Sequence, residues 1–79
     1  MLEKLLTYKP GTILQGTYKA YGNRFGFVLT DEKYEDIYIA EKDAGSAVNN
    51  DIVEVEIMKS KTGRHSTEGR IIHVLIRLW

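Results

Sequence analysis

Residues 21–28 read Tyr21-Gly22-Asn23-Arg24-Phe25-Gly26-Phe27-Val28, and this stretch decides the fold. Gly22-Asn23 is a tight hairpin signal, because both residues tolerate positive φ. Apolar residues on either side recur at period two, the mark of half-buried strands. A first strand is therefore expected over residues 12–21 and a second over 24–30. Pro10-Gly11 marks the start of the first. Gly16, near its middle, suits a bulge or a sharp bend. In a strand, residues two apart point to one side, so Phe25 and Phe27 share a face and Gly26 takes the other. Both rings are core, or both face outward. The opposite set, Gly26, Val28 and Thr30, is itself partly apolar, so parity leaves both readings open.

Further along, the polar run 31–35 makes a loop and residues 36–40 a short third strand. There Ile37 and Ile39 form a natural core pair, which turns Tyr38 outward. If the second and third strands pair antiparallel, Phe25, Phe27 and Tyr38 lie together on one outer surface. Residues 41–50 form a longer connection, with a helical turn expected around 41–44. Asn49-Asn50-Asp51 is a turn cluster, and Asn suits the left-handed region. A fourth strand over 51–58 alternates cleanly: Val53, Val55 and Ile57 on one face, Glu54 and Glu56 on the other. Residues 59–67 form a polar, basic loop.

The fifth strand, from Glu68 to about Leu78, is apolar in both phases: Ile72, Val74 and Ile76 in one, Ile71 and Leu75 in the other. Burial on both sides or a bulge produces that pattern. Five short strands with a longer connection after the third suggest an all-β chain folded as a five-stranded Greek-key OB barrel. An SH3-like barrel is the structural competitor.

The 79 residues make one domain, small enough to be only marginally stable unless closely packed. Residues 1–10 are read as a leader or linker and 11–79 as the domain. Leu2, Leu5 and Leu6 would alternatively make one turn of helix against the barrel. The chain has no cysteine, so it has neither a disulfide framework nor a thiolate metal site. That fits a reducing cytosol, and a cytoplasmic location is expected. No apolar run approaches the roughly 20 residues of a membrane-spanning helix, so no membrane partner is expected.

Net charge is zero, with 11 basic and 11 acidic residues, which argues against a non-specific duplex-DNA binder. The distribution says more than the total. Residues 1–30 carry +3, 31–56 carry −7 and 57–79 carry +4. If the two ends meet in space, they form a local positive surface beside a negative one; otherwise the charges are scattered over a solvated face.

Exposed aromatics side by side on a sheet are unfavourable in water. They are well suited to stacking on unpaired bases, and so select single strands over duplexes. Phe25, Phe27 and Tyr38 are thus candidate stacking groups, with Tyr21 at the end of the same stretch. Lys19 and Arg24 are near enough in sequence to reach phosphates. Lys61 and Arg64, in the basic loop, are either a phosphate clamp or part of a solvated hairpin.

A catalytic or metal site finds no support. Asp31, Asp36, Asp43 and Asp51 are spread over loops and strand ends. His65 and His73 have no partner at zinc-site spacing. A Ser66–His73–Asp51 set has nothing to recommend it beyond its residue types. No catalytic residue, metal ligand or cofactor is expected in this chain.

The stretch Asn23-Arg24-Phe25-Gly26-Phe27-Val28 resembles the first ribonucleoprotein motif of cold-shock domains, and Ile37-Tyr38-Ile39-Ala40 resembles the second. The resemblance implies base stacking by Phe25, Phe27 and Tyr38. Arg24 replaces a Gly of that pattern, Ala20 falls where a stacking Trp is usual, and Ala40 replaces a His.

A narrower likeness covers residues 11–78. Gly16, Phe25-Gly26-Phe27-Val28, Asp36-Ile37-Tyr38-Ile39, Asn50-Asp51-Ile52-Val53-Glu54-Val55 and Glu68-Gly69-Arg70-Ile71-Ile72-His73-Val74-Leu75-Ile76-Arg77 follow in order. That order is similar to the N-terminal OB domains of the ribonuclease R and ribonuclease II exoribonucleases. It implies a non-catalytic domain that captures or guides single-stranded RNA. The catalytic domain, with Mg²⁺ held by aspartates, would belong to a longer parent chain, whose neighbouring domains would be partners. A free-standing cold-shock-like RNA chaperone is the alternative. A protein-docking OB module using Glu54 and Glu56 is another.

Overall fold

The computed structural model describes residues 8–22, 24–30, 34–60 and 66–77. Five strands run in chain order: β1 Ile13–Tyr21, β2 Phe25–Leu29, β3 Ile37–Ala40, β4 Ile52–Lys59 and β5 Glu68–Ile76. A 3-10 turn, Glu41–Asp43, follows β3 where a helical turn was expected. The sheet closes on itself in the order β1-β2-β3-β5-β4, with β4 returning to β1. All pairs are antiparallel except β3 with β5, which meet in parallel at Tyr38 and Glu68. This is the five-stranded Greek-key OB barrel.

β1 serves two partners. Residues 13–17 pair with β4, and residues 17–21 pair with β2. Gly16 stands just before the changeover. A Cβ there would come within 2.5 Å of Val28 Cγ1 and 2.7 Å of the Leu29 carbonyl oxygen. A bare backbone at this point is what lets β2 lie so close to β1.

The core follows the alternation. Val53, Val55 and Ile57 of β4 are buried with Ile37 and Ile39 of β3, Val28 of β2 and Tyr18 of β1. Burying one such side chain contributes about 1.5–3 kcal/mol, so this cluster is the main term holding a small barrel together.

The two apolar phases of β5 come from bulges. Val53 pairs with Val74, Glu54 with His73 and Val55 with Ile71, so Ile72 is left over. Gly69, Ile71 and Val74 therefore oppose the inward residues of β4 although their numbers do not share a parity.

Three sequence expectations change. The second strand begins at Phe25, so Arg24 lies in the hairpin loop with Gly22, whose φ is 68°. Asn23 lies outside the described residues. Lys61 and Arg64 lie outside the described residues, but Arg70, His73 and Arg77 do not join the N-terminal basic residues in a positive surface. These three sit against the acids of the middle segment: Arg70 Nη2 lies 2.9 Å from Glu56 Oε1, His73 Nδ1 2.8 Å from Glu54 Oε1, and Arg77 Nε 3.4 Å from Asp51 Oδ2. The charge segregation along the chain is thus converted into pairing across the β4–β5 ladder and its end.

Lastly, Tyr8, in the stretch read as a leader, packs on the barrel. Its ring stacks on Tyr34 at 4.3 Å, and its hydroxyl lies 2.6 Å from Thr30 Oγ1. Leu2, Leu5 and Leu6 lie outside the described residues.

Candidate nucleic-acid interface

Strand register settles which way the aromatics point. Phe27 stands opposite Tyr38 and Phe25 opposite Ala40 on the β2–β3 ladder. On the β1–β2 ladder, Lys19 faces Phe27 and Tyr21 faces Phe25. Residues directly opposite share a face of the sheet. The other face carries Gly26, Val28, Ile37 and Ile39, all buried. Phe25, Phe27 and Tyr38 are therefore outside the barrel, and the core reading of the two phenylalanines falls.

The rings form one continuous cluster. Phe25 and Tyr38 stack at 5.8 Å with planes 29° apart. Phe27 meets Tyr38 edge-on at 5.8 Å and Phe25 at 5.9 Å. Tyr21 joins edge-on, 5.6 Å from Phe25 and 5.5 Å from Phe27. These are the offset and edge-to-face arrangements that aromatic quadrupoles favour. Phe25, Phe27 and Tyr38 half-bury one another, while Tyr21 remains 52% exposed. The side chains are held in place before any ligand arrives, and their outer faces are open to a planar group.

Cations flank the cluster. Lys19 Nζ donates to Asn50 Oδ1 at 2.5 Å. An ammonium has three N–H donors, so two remain for a phosphate. The bond spans from β1 to the turn before β4, where Asn50 adopts φ 77°, the left-handed conformation its residue type suggested. Arg24 is exposed in the hairpin loop beside Phe25. Lys61 and Arg64 lie outside the described residues.

One residue was misplaced from sequence. Ala20 does not stand at an outward stacking position. It pairs with Gly26 and packs against the core. The outward β1 neighbours of the rings are Lys19 and Tyr21. Ala40, by contrast, does lie on the aromatic face, opposite Phe25.

The catalytic set weighed from sequence is not assembled. His73 is hydrogen-bonded to Glu54 and Asp51 is paired with Arg77, so the Ser66–His73–Asp51 set does not form. Among the described residues, no group of three or more His, Asp or Glu side chains is placed to hold a metal ion. Asp31 and His65 lie outside them. Among the described residues, Tyr18 has a clear shift: burial pushes its phenol above the usual value of 10.0.

Sequence reasoning also missed a cleft of about 330 Å³ beside Phe25. Part of its wall comes from Ala44, Ala47 and Asn49 of the β3–β4 connection, which carries no periodic signal to reveal it.

The sequence profile of the ribonuclease B OB domain matches residues 16–74. That span contains all four rings of the cluster, Lys19 and Arg24. No curated protein matches the chain significantly. The match covers most of the chain and agrees with the barrel order: the protein belongs to the ribonuclease B OB-domain family, the N-terminal OB domains of the ribonuclease II and ribonuclease R exoribonucleases.

Proposed function

We propose that this chain is a non-catalytic single-stranded RNA-binding domain of a ribonuclease R-like 3'-5' exoribonuclease. It captures or guides RNA toward a catalytic domain elsewhere in the parent protein, in the cytoplasm, and any Mg²⁺ belongs to that domain. The observation that carries this reading is the four-ring cluster of Tyr21, Phe25, Phe27 and Tyr38 on the outside of the barrel. Aromatic faces bind unpaired bases regardless of sequence, and Lys19 and Arg24 at the rim suit the phosphates between them. Lys61 and Arg64 are proposed as further phosphate contacts. The protein-docking alternative has less support, because Glu54 and Glu56 are already paired with His73 and Arg70.

Titration with a short oligo-uridine, followed by amide and aromatic NMR shifts, tests the reading. Shifts are expected at Tyr21, Phe25, Phe27 and Tyr38. Shifts confined to residues 41–56, or none at millimolar RNA, would overturn it. A reading frame that ends at residue 79 without a catalytic neighbour would favour the free-standing chaperone instead.

A further inference from the structure

Tyr18 is only 4% exposed, yet its hydroxyl has no hydrogen-bond partner among the described residues. The oxygen is not sealed inside the barrel. The fully buried, unpaired side-chain atom among the described residues is Asp51 Oδ1, whereas Tyr18 forms part of the wall of the cleft beside Phe25. The phenol therefore presents its one polar atom to that cleft. Such an atom is unfavourable at the edge of a core unless something bonds it. Burial also keeps the phenol protonated beyond its usual value of 10.0, so it is a neutral group that both donates and accepts.

The cleft holds about 330 Å³, at the small end of the range for sites that enclose small molecules. Ala20, Ala44 and Ala47 line it with methyl groups and pack on the same core as Tyr18. The charged members of the lining, Arg24 and Glu41, are exposed. A phosphate drawn in against the methyl groups would give up its water for one neutral hydroxyl, so the phenol suits an uncharged partner. A base edge carries several polar atoms, each fixed as donor or acceptor, and one phenol cannot pair them all. A ribose brings mostly C–H surface and, at each internal nucleotide, one free hydroxyl. That hydroxyl donates or accepts as the phenol does, so the two pair whichever of them gives the proton. The match does not depend on how Arg24, Glu41 and Asn49 are turned.

Phe25 connects the cleft to the aromatic face, because it belongs to both. A nucleotide stacked on Phe25 has the cleft beside it, within reach of its own sugar or its neighbour's.

We propose that the cleft beside Phe25 is a ribose subsite, in which the Tyr18 hydroxyl bonds a 2'-hydroxyl and so favours RNA over DNA. The proposal rests on the RNA-binding reading above and adds discrimination of the sugar to it.

The test measures affinities of the whole chain for hexauridine, hexadeoxyuridine and 2'-fluoro hexauridine, which share one base. Hexauridine should bind roughly fivefold tighter than either analogue, the effect of one hydrogen bond. The fluoro analogue keeps the sugar pucker of RNA but cannot donate, so a preference due to pucker alone would leave it as tight as hexauridine. Hexauridine phosphorylated at its 3' end has lost the terminal 3'-hydroxyl and should bind as well as hexauridine does. Tyr18→Phe removes the hydroxyl and keeps the ring, and should bring the ribose-to-deoxyribose affinity ratio toward one. A thermal melt checks that the variant folds. If it does not, the oligonucleotide series on the unaltered chain still decides.

Equal affinity for hexauridine and hexadeoxyuridine would overturn the proposal while leaving single-strand binding intact. So would a 2'-fluoro strand as tight as hexauridine, an undiminished ratio in folded Tyr18→Phe, or a preference lost on 3' phosphorylation alone. Failure of every oligonucleotide to bind would overturn the RNA-binding reading, and the subsite with it.

Discussion

Gly26 stands between two phenylalanines for lack of room rather than for flexibility. A Cβ at this position would lie 2.5 Å from Tyr18 Cε1 and 2.7 Å from the Lys19 carbonyl oxygen. The tyrosine ring is 96% buried beneath it, and the strand crosses directly over that ring. Gly26→Ala should therefore destabilise the barrel by about 1–3 kcal/mol through overpacking, read as a lower urea midpoint. That Gly26 faces away from the two rings was legible in the sequence. The reason was not, because Tyr is as often a surface residue as a core one, and Tyr18 carried no label.

Burial of Tyr18 has a pH consequence. Its phenol resists ionisation when folded, so around and above the usual value of 10.0 the unfolded chain loses the proton first. The stabilisation is fully present below that pH and is lost as pH rises toward the higher folded value. Tyr18→Phe should flatten the fall in stability as pH rises past the usual tyrosine value of 10.0, measured by denaturant midpoints across the alkaline range.

At the level of the strands, the aromatic face depends on three elements in register. β1 supplies Lys19 and Tyr21, β2 supplies Phe25 and Phe27, and β3 supplies Tyr38. The sequence revealed the β2 and β3 members because Ile37 and Ile39 fix the parity of β3. It left β2 ambiguous, since a strand with partly apolar residues on both faces needs a neighbour to orient it. The placing of Ala20 came from the resemblance to cold-shock domains alone, since β1 is apolar in neither phase strongly enough to set its parity.

Phe27→Ala removes a ring that, like Phe25, touches the other three. It should weaken oligo-uridine binding by about 1–3 kcal/mol while the circular dichroism spectrum stays that of the folded barrel. Loss of the fold instead would restore the core reading. The bulges of β5 were invisible from sequence except as a confused phase. A bulge shows only when the pairing partner is known.

For the whole molecule, closure brings together groups that lie far apart in the chain. Asp51 is fully buried at the start of β4. Its Oδ2 accepts the Val48 N–H at 2.9 Å and faces Arg77. Arg77 Nη2 also donates to the Ser46 carbonyl oxygen at 2.9 Å. Barrel order could be argued from strand count and loop lengths, but this clasp could not. It joins a turn residue to the far end of the chain, and only the closed sheet sets them side by side.

Removing one partner of a buried pair leaves a charge uncompensated. Arg77 is partly in water, which shares the load, so Arg77→Ala should cost about 1–3 kcal/mol. A cycle with Asp51→Asn should recover part of that loss, measured by chemical denaturation.

The same clasp determines how the domain would respond to mechanical load. A pull applied at the C-terminal end of β5 reaches Arg77 before it reaches the β4–β5 ladder. That ladder begins at the Ile52–Ile76 pair, with a register irregularity immediately beside it. The guanidinium grip on Asp51 and Ser46 is then the first link to be loaded. Its strength sets the tension at which the barrel starts to unzip.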